Sequence, residues 1–174
     1  MASLKNHRDY RVMLEMNVHK LASNLAQLLK YPEGEIDLNS ASLIGQEIES
    51  NHKEYLPIYV PFVEKLKSLS HHEAEELYTK TFDINGPCCL DVGFVMFGED
   101  YKRGAFLVHL KELYRRLNLE YGPELPDFLP YMMDALSWME DGEERTDLAE
   151  KILIPATQKM LDSLEKTDVS QKTF

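Results

Sequence analysis

The sequence predicts an all-α, single-domain bundle of about seven or eight helices. Apolar residues recur at helical spacing along most of the chain, strand-like alternation is sustained nowhere, and proline, capping residues and Asp/Gly turns punctuate the pattern. The 174 residues, 44% hydrophobic and 28% charged, have the size and composition of one domain able to bury its own core. No repeat or long polar linker divides them, so residues 1–168 read as one helical domain and 169–174 as a frayed tail.

The first helix is predicted over Asp9 to Lys30, its buried face marked by Leu14, Val18, Leu21, Leu25 and Leu28, and Tyr31-Pro32-Glu33-Gly34 ends it. A weaker helix covers Ser40 to Ser50. Another begins near Pro57 or Pro61, where a first-turn proline loses no hydrogen bond, and runs to Leu69. Ser70-His71-His72-Glu73 is a capping box opening a helix to about Thr81. After the break at Asp83-Ile84-Asn85-Gly86-Pro87, Cys88 to Phe97 reads as a short buried helix. Glu99 to Asn118 carries Phe106, Leu110, Leu113 and Leu117 on one face, with Glu99/Arg103 and Glu112/Arg116 as i,i+4 pairs, and Gly122-Pro123 stops it. Pro126 to Glu140 is the next helix. Thr146 then caps a last one to about Lys166, with a kink expected at Pro155.

A formal charge of −11 excludes a nucleic-acid binder, which needs a basic face, and favours a basic partner. Between Glu120 and Glu165 twelve acids face only Arg145, Lys151 and Lys159, although a solvated surface would read the same way. Cys88 and Cys89 are adjacent and build no disulfide framework, which fits a reducing compartment. The polar Met1 to Arg11 and the lack of a long apolar run predict a cytoplasmic chain without membrane insertion.

No catalytic constellation is present: no phosphate loop, no Gly-x-Ser-x-Gly, no His-Glu-x-x-His and no paired Glu-x-x-His. His71, His72, Cys88 and Cys89 lack the spacing by which each pair reaches one zinc ion. The sequence therefore predicts no enzyme, no resident metal and no cofactor.

The most distinctive segment is Glu124-Leu125-Pro126-Asp127-Phe128-Leu129-Pro130, a rigid helix entrance with carboxylates and an aromatic ring. Projected as a helix, Leu129, Met132, Met133 and Leu136 face the core, while Asp127, Asp134, Ser137 and Asp141 occupy the opposite arc. Tyr131 and Trp138 fall at the seam beside Asp127 and Asp134. Rings bordered by carboxylates suit a basic amphipathic peptide. The alternative is that the rings complete the core and the acids face water.

Three motifs in order, Tyr78-x-x-x-Phe82-Asp83, Gly98-x-x-x-x-Arg103-Gly104 and Glu124-Leu125-Pro126-Asp127-x-Leu129-Pro130, resemble those of the nitrate reductase assembly chaperone family. That family (NarJ, the delta subunit) lies within the TorD/DmsD group of redox enzyme maturation proteins. The likeness spans Leu21 to Leu164 and includes the Leu-Leu-x-Tyr-Pro ending of the first helix. Phe128 stands where the TorD/DmsD branch often has histidine, which favours the nitrate-reductase-like branch.

The resemblance implies a TorD/NarJ-like helical fold and a non-enzymatic chaperone. Its partner would be the catalytic subunit of a molybdenum oxidoreductase, bound by its basic N-terminal segment until the molybdenum cofactor is inserted. It further implies that Tyr78, Phe82, Asp83, Glu124, Pro126, Asp127 and Tyr131 line or support the peptide groove. Arg103, with Gly104, takes a structural part, pairing with a carboxylate such as Asp83 or Glu99. The resemblance leaves open a monomer or a helix-exchanged dimer. A stable helical adaptor within a respiratory complex is the competing expectation.

Overall fold

The computed structural model describes residues 20–34, 36–83 and 86–171, and among them every regular element is a helix. Helix α1 occupies residues 20–28, α2 Leu38–Asn51 and, after a 3-10 turn at Lys53–Tyr55, α3 Leu56–Ser68. Then come α4 (His71–Phe82), α5 (Val92–Phe97), α6 (Tyr101–Leu117), α7 (Leu129–Trp138) and α8 (Glu143–Asp147). The last runs through a π-helical stretch, Leu148–Leu153, into α9 (Ile154–Gln171). The predicted start of the first helix, with Leu14 and Val18, and positions 172–174 lie outside the described residues.

Local chemistry sets the boundaries. The Ser70 capping box forms as expected, the Ser70 backbone N–H donating to Glu73 Oε2 at 2.8 Å and the Glu73 N–H to Ser70 Oγ at 3.4 Å. Asp37 caps α2 by accepting the Ser40 N–H at 2.9 Å and its hydroxyl at 2.6 Å, bonds that hold the carboxyl below its ordinary pKa. Helix α6 leaves through Asn118, whose φ of 53° is the left-handed exit asparagine tolerates, so Asn118 and not Gly122-Pro123 makes the stop.

Three predicted elements change shape. Only Val92–Phe97 of the Cys88–Phe97 segment is helical, because residues 88–91 run extended into an antiparallel bridge between Asp91 and Phe128. That same bridge delays the Pro126 helix until Leu129. Thr146 lies inside α8 and does not cap it, and the kink expected at Pro155 becomes the π turn. Proline lacks an N–H and would press on the carbonyl four residues back, and the wider turn ahead of it, closed by Ile154 N–H to Ala149 O, makes room. The final helix continues to Gln171, past the expected end at Lys166.

Packing is divided. The larger core joins α5, α6, α7, the π turn and α9 through residues such as Val92, Leu110, Leu113, Met132, Ala135, Leu153 and Ala156, with Phe106 and Leu117 at its margin as the α6 periodicity predicted. Ala26, Ala41, Ile44 and Ile48 are buried outside it, with α3 lying on α2 and the Tyr59 hydroxyl donating to Ala41 O at 2.6 Å. Leu29, Tyr78 and Phe82 attach α1 and α4 to the larger core. Among the described residues no helix is long and apolar enough to cross a membrane.

Leu110 is fully buried, so Leu110→Ala should cost about 2–5 kcal/mol in urea unfolding. Gly104 sits exposed inside α6 with open space where a Cβ would stand, and nothing in the structure packs against it. Gly104→Ala should therefore raise stability by about 0.5–1 kcal/mol; a loss would show that the glycine is needed for close approach.

Candidate binding groove

A groove of ≈ 1300 Å³ runs along the seam where α1 and α4 meet the larger core, and aromatic rings line it. On one wall Tyr78 meets Tyr31 and Phe82 edge-on, with centroids 5.3 Å and 5.1 Å away. On the other, Tyr131 contacts Tyr121 at 5.9 Å and Phe128 at 5.1 Å. Gly122 allows this second wall to close, because a Cβ there would lie 2.5 Å from the Tyr131 hydroxyl. Phe94 and Trp138 add exposed rings, Trp138 with 66% of its surface open. The Tyr78 hydroxyl donates to Leu29 O at 3.3 Å, and burial, assisted by nearby Glu124, pushes its pKa up to about 12, so it remains a neutral phenol.

The lining is acidic. Glu33, Asp83, Asp91, Glu120, Glu124, Asp134 and Asp162 face only Lys30, Lys159 and Lys166. Glu120, Glu124, Asp134 and Asp162 belong to the Glu120 to Glu165 run that the sequence singled out, and Glu33, Asp83 and Asp91 come from other stretches of chain.

Beneath the groove lies a buried ion network. Asp127 is fully buried, its Oδ2 accepting Arg103 Nε at 2.8 Å and its Oδ1 the second guanidinium nitrogen at 3.4 Å. The same nitrogen donates to Asp91 Oδ2 at 2.9 Å. Gly93 supplies the space, since a Cβ there would come within 2.5 Å of Asp127 Oδ2. Backbone bonds from Val92 N–H to Asp127 O (2.8 Å) and Leu129 N–H to Leu90 O (2.9 Å) complete the bridge, and the buried Tyr114 hydroxyl donates to Pro126 O at 2.6 Å. Arg103 also lies over the Phe94 ring, 5.5 Å from its centroid.

Of the residues singled out by sequence, Tyr78, Phe82, Asp83, Glu124, Tyr131, Asp134 and Trp138 lie along the groove. Pro126 and Asp127 do not; both are buried behind it. The helical projection placed Asp127 on the solvent arc, but the bridge puts it ahead of α7, where helical angles no longer apply. Arg103 pairs with Asp91 and Asp127 in place of the Asp83 or Glu99 named from sequence. Arg116 likewise reaches Glu144 of α8 and forms no ion pair with Glu112. Asp134 is committed to α1, accepting Ser23 Oγ at 3.1 Å and Lys30 Nζ at 3.2 Å. Cys88 is buried in the core, whereas Cys89 lines the groove.

No model of a known protein family matches the chain. A curated relative does: a probable nitrate reductase molybdenum cofactor assembly chaperone, NarJ, of Bacillus subtilis (strain 168), is 32% identical over 149 residues, 84% of this chain and 79% of the relative. The chain belongs to the NarJ family. In this NarJ-family member, sequence missed Tyr31, Phe94, Asp91 and Tyr121 as groove residues. Only Tyr31 carried a signal, as part of the Leu-Leu-x-Tyr-Pro helix ending; the others are brought together by contacts between distant segments.

The network makes two predictions. Arg103→Met leaves Asp127 buried without a counterion and should cost about 3–5 kcal/mol, whereas Asp127→Asn, which keeps shape and an acceptor, should cost about 1–3 kcal/mol in urea unfolding. Asp91 has its pKa raised, first by burial and then by Asp127, against the pull of Arg103. The folded state thus holds that proton more tightly than the unfolded one. Stability relative to Asp91→Asn should fall as pH rises from the ordinary carboxylate range through the folded pKa, then level off; urea midpoints across that range, flat for the pair, would contradict this.

Proposed function

We propose that the protein is a cytoplasmic, non-enzymatic assembly chaperone for the catalytic subunit of a nitrate-reductase-like molybdenum oxidoreductase. It holds a basic N-terminal segment of that subunit in the aromatic groove and keeps the subunit open to insertion of the molybdenum cofactor. The observation that carries this reading is a ring-lined groove with an acidic rim in a NarJ-family chain.

Magnitudes assign the work within the groove. An exposed ion pair contributes about 0–1 kcal/mol, one buried leucine or phenylalanine of the segment about 1.5–3 kcal/mol, and association itself costs about 4–15 kcal/mol. Apolar side chains of the client, seated among Tyr31, Tyr78, Phe82, Phe128 and Tyr131, therefore supply affinity. The negative rim accelerates and orients the encounter, and the exposed Trp138 offers a further ring for a cation or an apolar side chain.

Deleting the gene in the native host should lower the molybdenum content of the affected oxidoreductase, and the mature enzyme purified from the undeleted host should not carry this protein in fixed ratio. Unchanged molybdenum loading, or co-purification with the mature complex in fixed ratio, would overturn the reading, the latter in favour of an adaptor subunit. With the N-terminal peptide of the catalytic subunit, stopped-flow binding should show added salt slowing association more than it hastens release; a change confined to release would count against electrostatic steering.

A further inference from the structure

The groove's carboxylates are not equivalent. Glu33, Asp83, Glu120, Glu124 and Asp162 are exposed, where water and salt screen a charge pair to little. Asp134 has both oxygens occupied by Ser23 and Lys30. Asp91 differs from all of them. It is half-buried, its side chain 31% exposed, and it lines the groove. It stands at the N-cap position of α5 yet makes no capping bond, its carboxylate turned instead towards Arg103. Oδ2 takes the Arg103 bond, and among the described residues Oδ1 accepts no side-chain hydrogen bond.

The charge balance beneath the groove has the same consequence. Arg103 gives its Nε and a second, longer bond to the sealed Asp127, and reaches Asp91 through one nitrogen only. One positive charge thus serves two carboxylates, and the incompletely served one is the one the groove can reach. We propose that Asp91 selects a positively charged side chain, an arginine, on the segment that occupies the groove, Arg103 being committed to Asp127. The inference rests on reading the groove as the client site and names the residue within it that sets charge specificity.

A guanidinium at Asp91 Oδ1 forms a charge-assisted hydrogen bond in a partly dehydrated setting, and it brings the Asp91, Arg103 and Asp127 trio to neutrality. The raised pKa of Asp91 agrees with this, since an ionised carboxylate held there is disfavoured until a second cation arrives. Arg103 and Asp127 act as positioning residues, fixing where Asp91 points without touching the client.

The test uses the full-length protein and two short amphipathic peptides of leucine, alanine, glutamine and arginine, identical except that one has every arginine replaced by neutral, nearly isosteric citrulline. Calorimetry at low salt should give the arginine peptide about tenfold tighter binding to the unaltered protein. Asp91→Asn, which keeps an acceptor for Arg103, should bind both peptides alike, at the citrulline level, while Glu112→Gln, at an exposed α6 position outside the groove lining, should still prefer arginine. An Asp91→Asn protein that keeps the full preference, or an unaltered protein without any, overturns the assignment. Should Asp91→Asn fail to fold, the carboxylate carbon resonance of Asp91 in the unaltered protein must shift with the arginine peptide and not with its twin; equal shifts overturn it as well. The chaperone reading is judged apart from this, by molybdenum loading in the host.

Discussion

The ion pair between Arg103 and Asp127 is the constraint on which the site depends. A carboxylate sealed from water is tolerated only with a counterion and good hydrogen bonds, and Arg103 of α6 supplies both. That requirement fixes the 125–129 segment against α6, while Gly93 lets α5 approach as closely as the carboxylate allows. The bridge between Asp91 and Phe128 follows, and with it the placement of a carboxylate and a ring on the same side of the groove.

The groove follows the seam where α1 and α4 meet the large core of α5, α6, α7 and α9, and Tyr31, Tyr78, Phe82, Phe128 and Tyr131 line it. Such rings bury carbon while keeping a polar edge, and edge-on contacts hold them to one another while they face an open channel. The tie from Lys30 and Ser23 to Asp134 fastens α1 across that seam.

Charge and apolar surface have separate duties in such a channel. The rings provide area that an amphipathic segment can dehydrate, and the rim provides a field that favours cations at a distance. A half-buried acid such as Asp91 lies between the two regimes. It is close enough to solvent to be reached, and dry enough for its charge to discriminate.

The sequence by itself determined the helical class, the α6 face of Phe106, Leu110, Leu113 and Leu117, the capping box at Ser70 and the family, and its motifs singled out Tyr78, Phe82, Glu124 and Tyr131, which line one groove. Those features depend on spacing within one element or on an ordered set of motifs, which the linear chain carries. Only the tertiary structure decided that Asp127 is sealed, that Arg103 serves Asp91 and Asp127, and that Asp134 belongs to α1. Each of these depends on which distant segment arrives opposite a given side chain, and the periodicity of a single helix holds no information about its neighbour. The bridge at Asp91 and Phe128 is the clearest instance: it converts a predicted helix start into extended backbone and turns an acid from water to the interior.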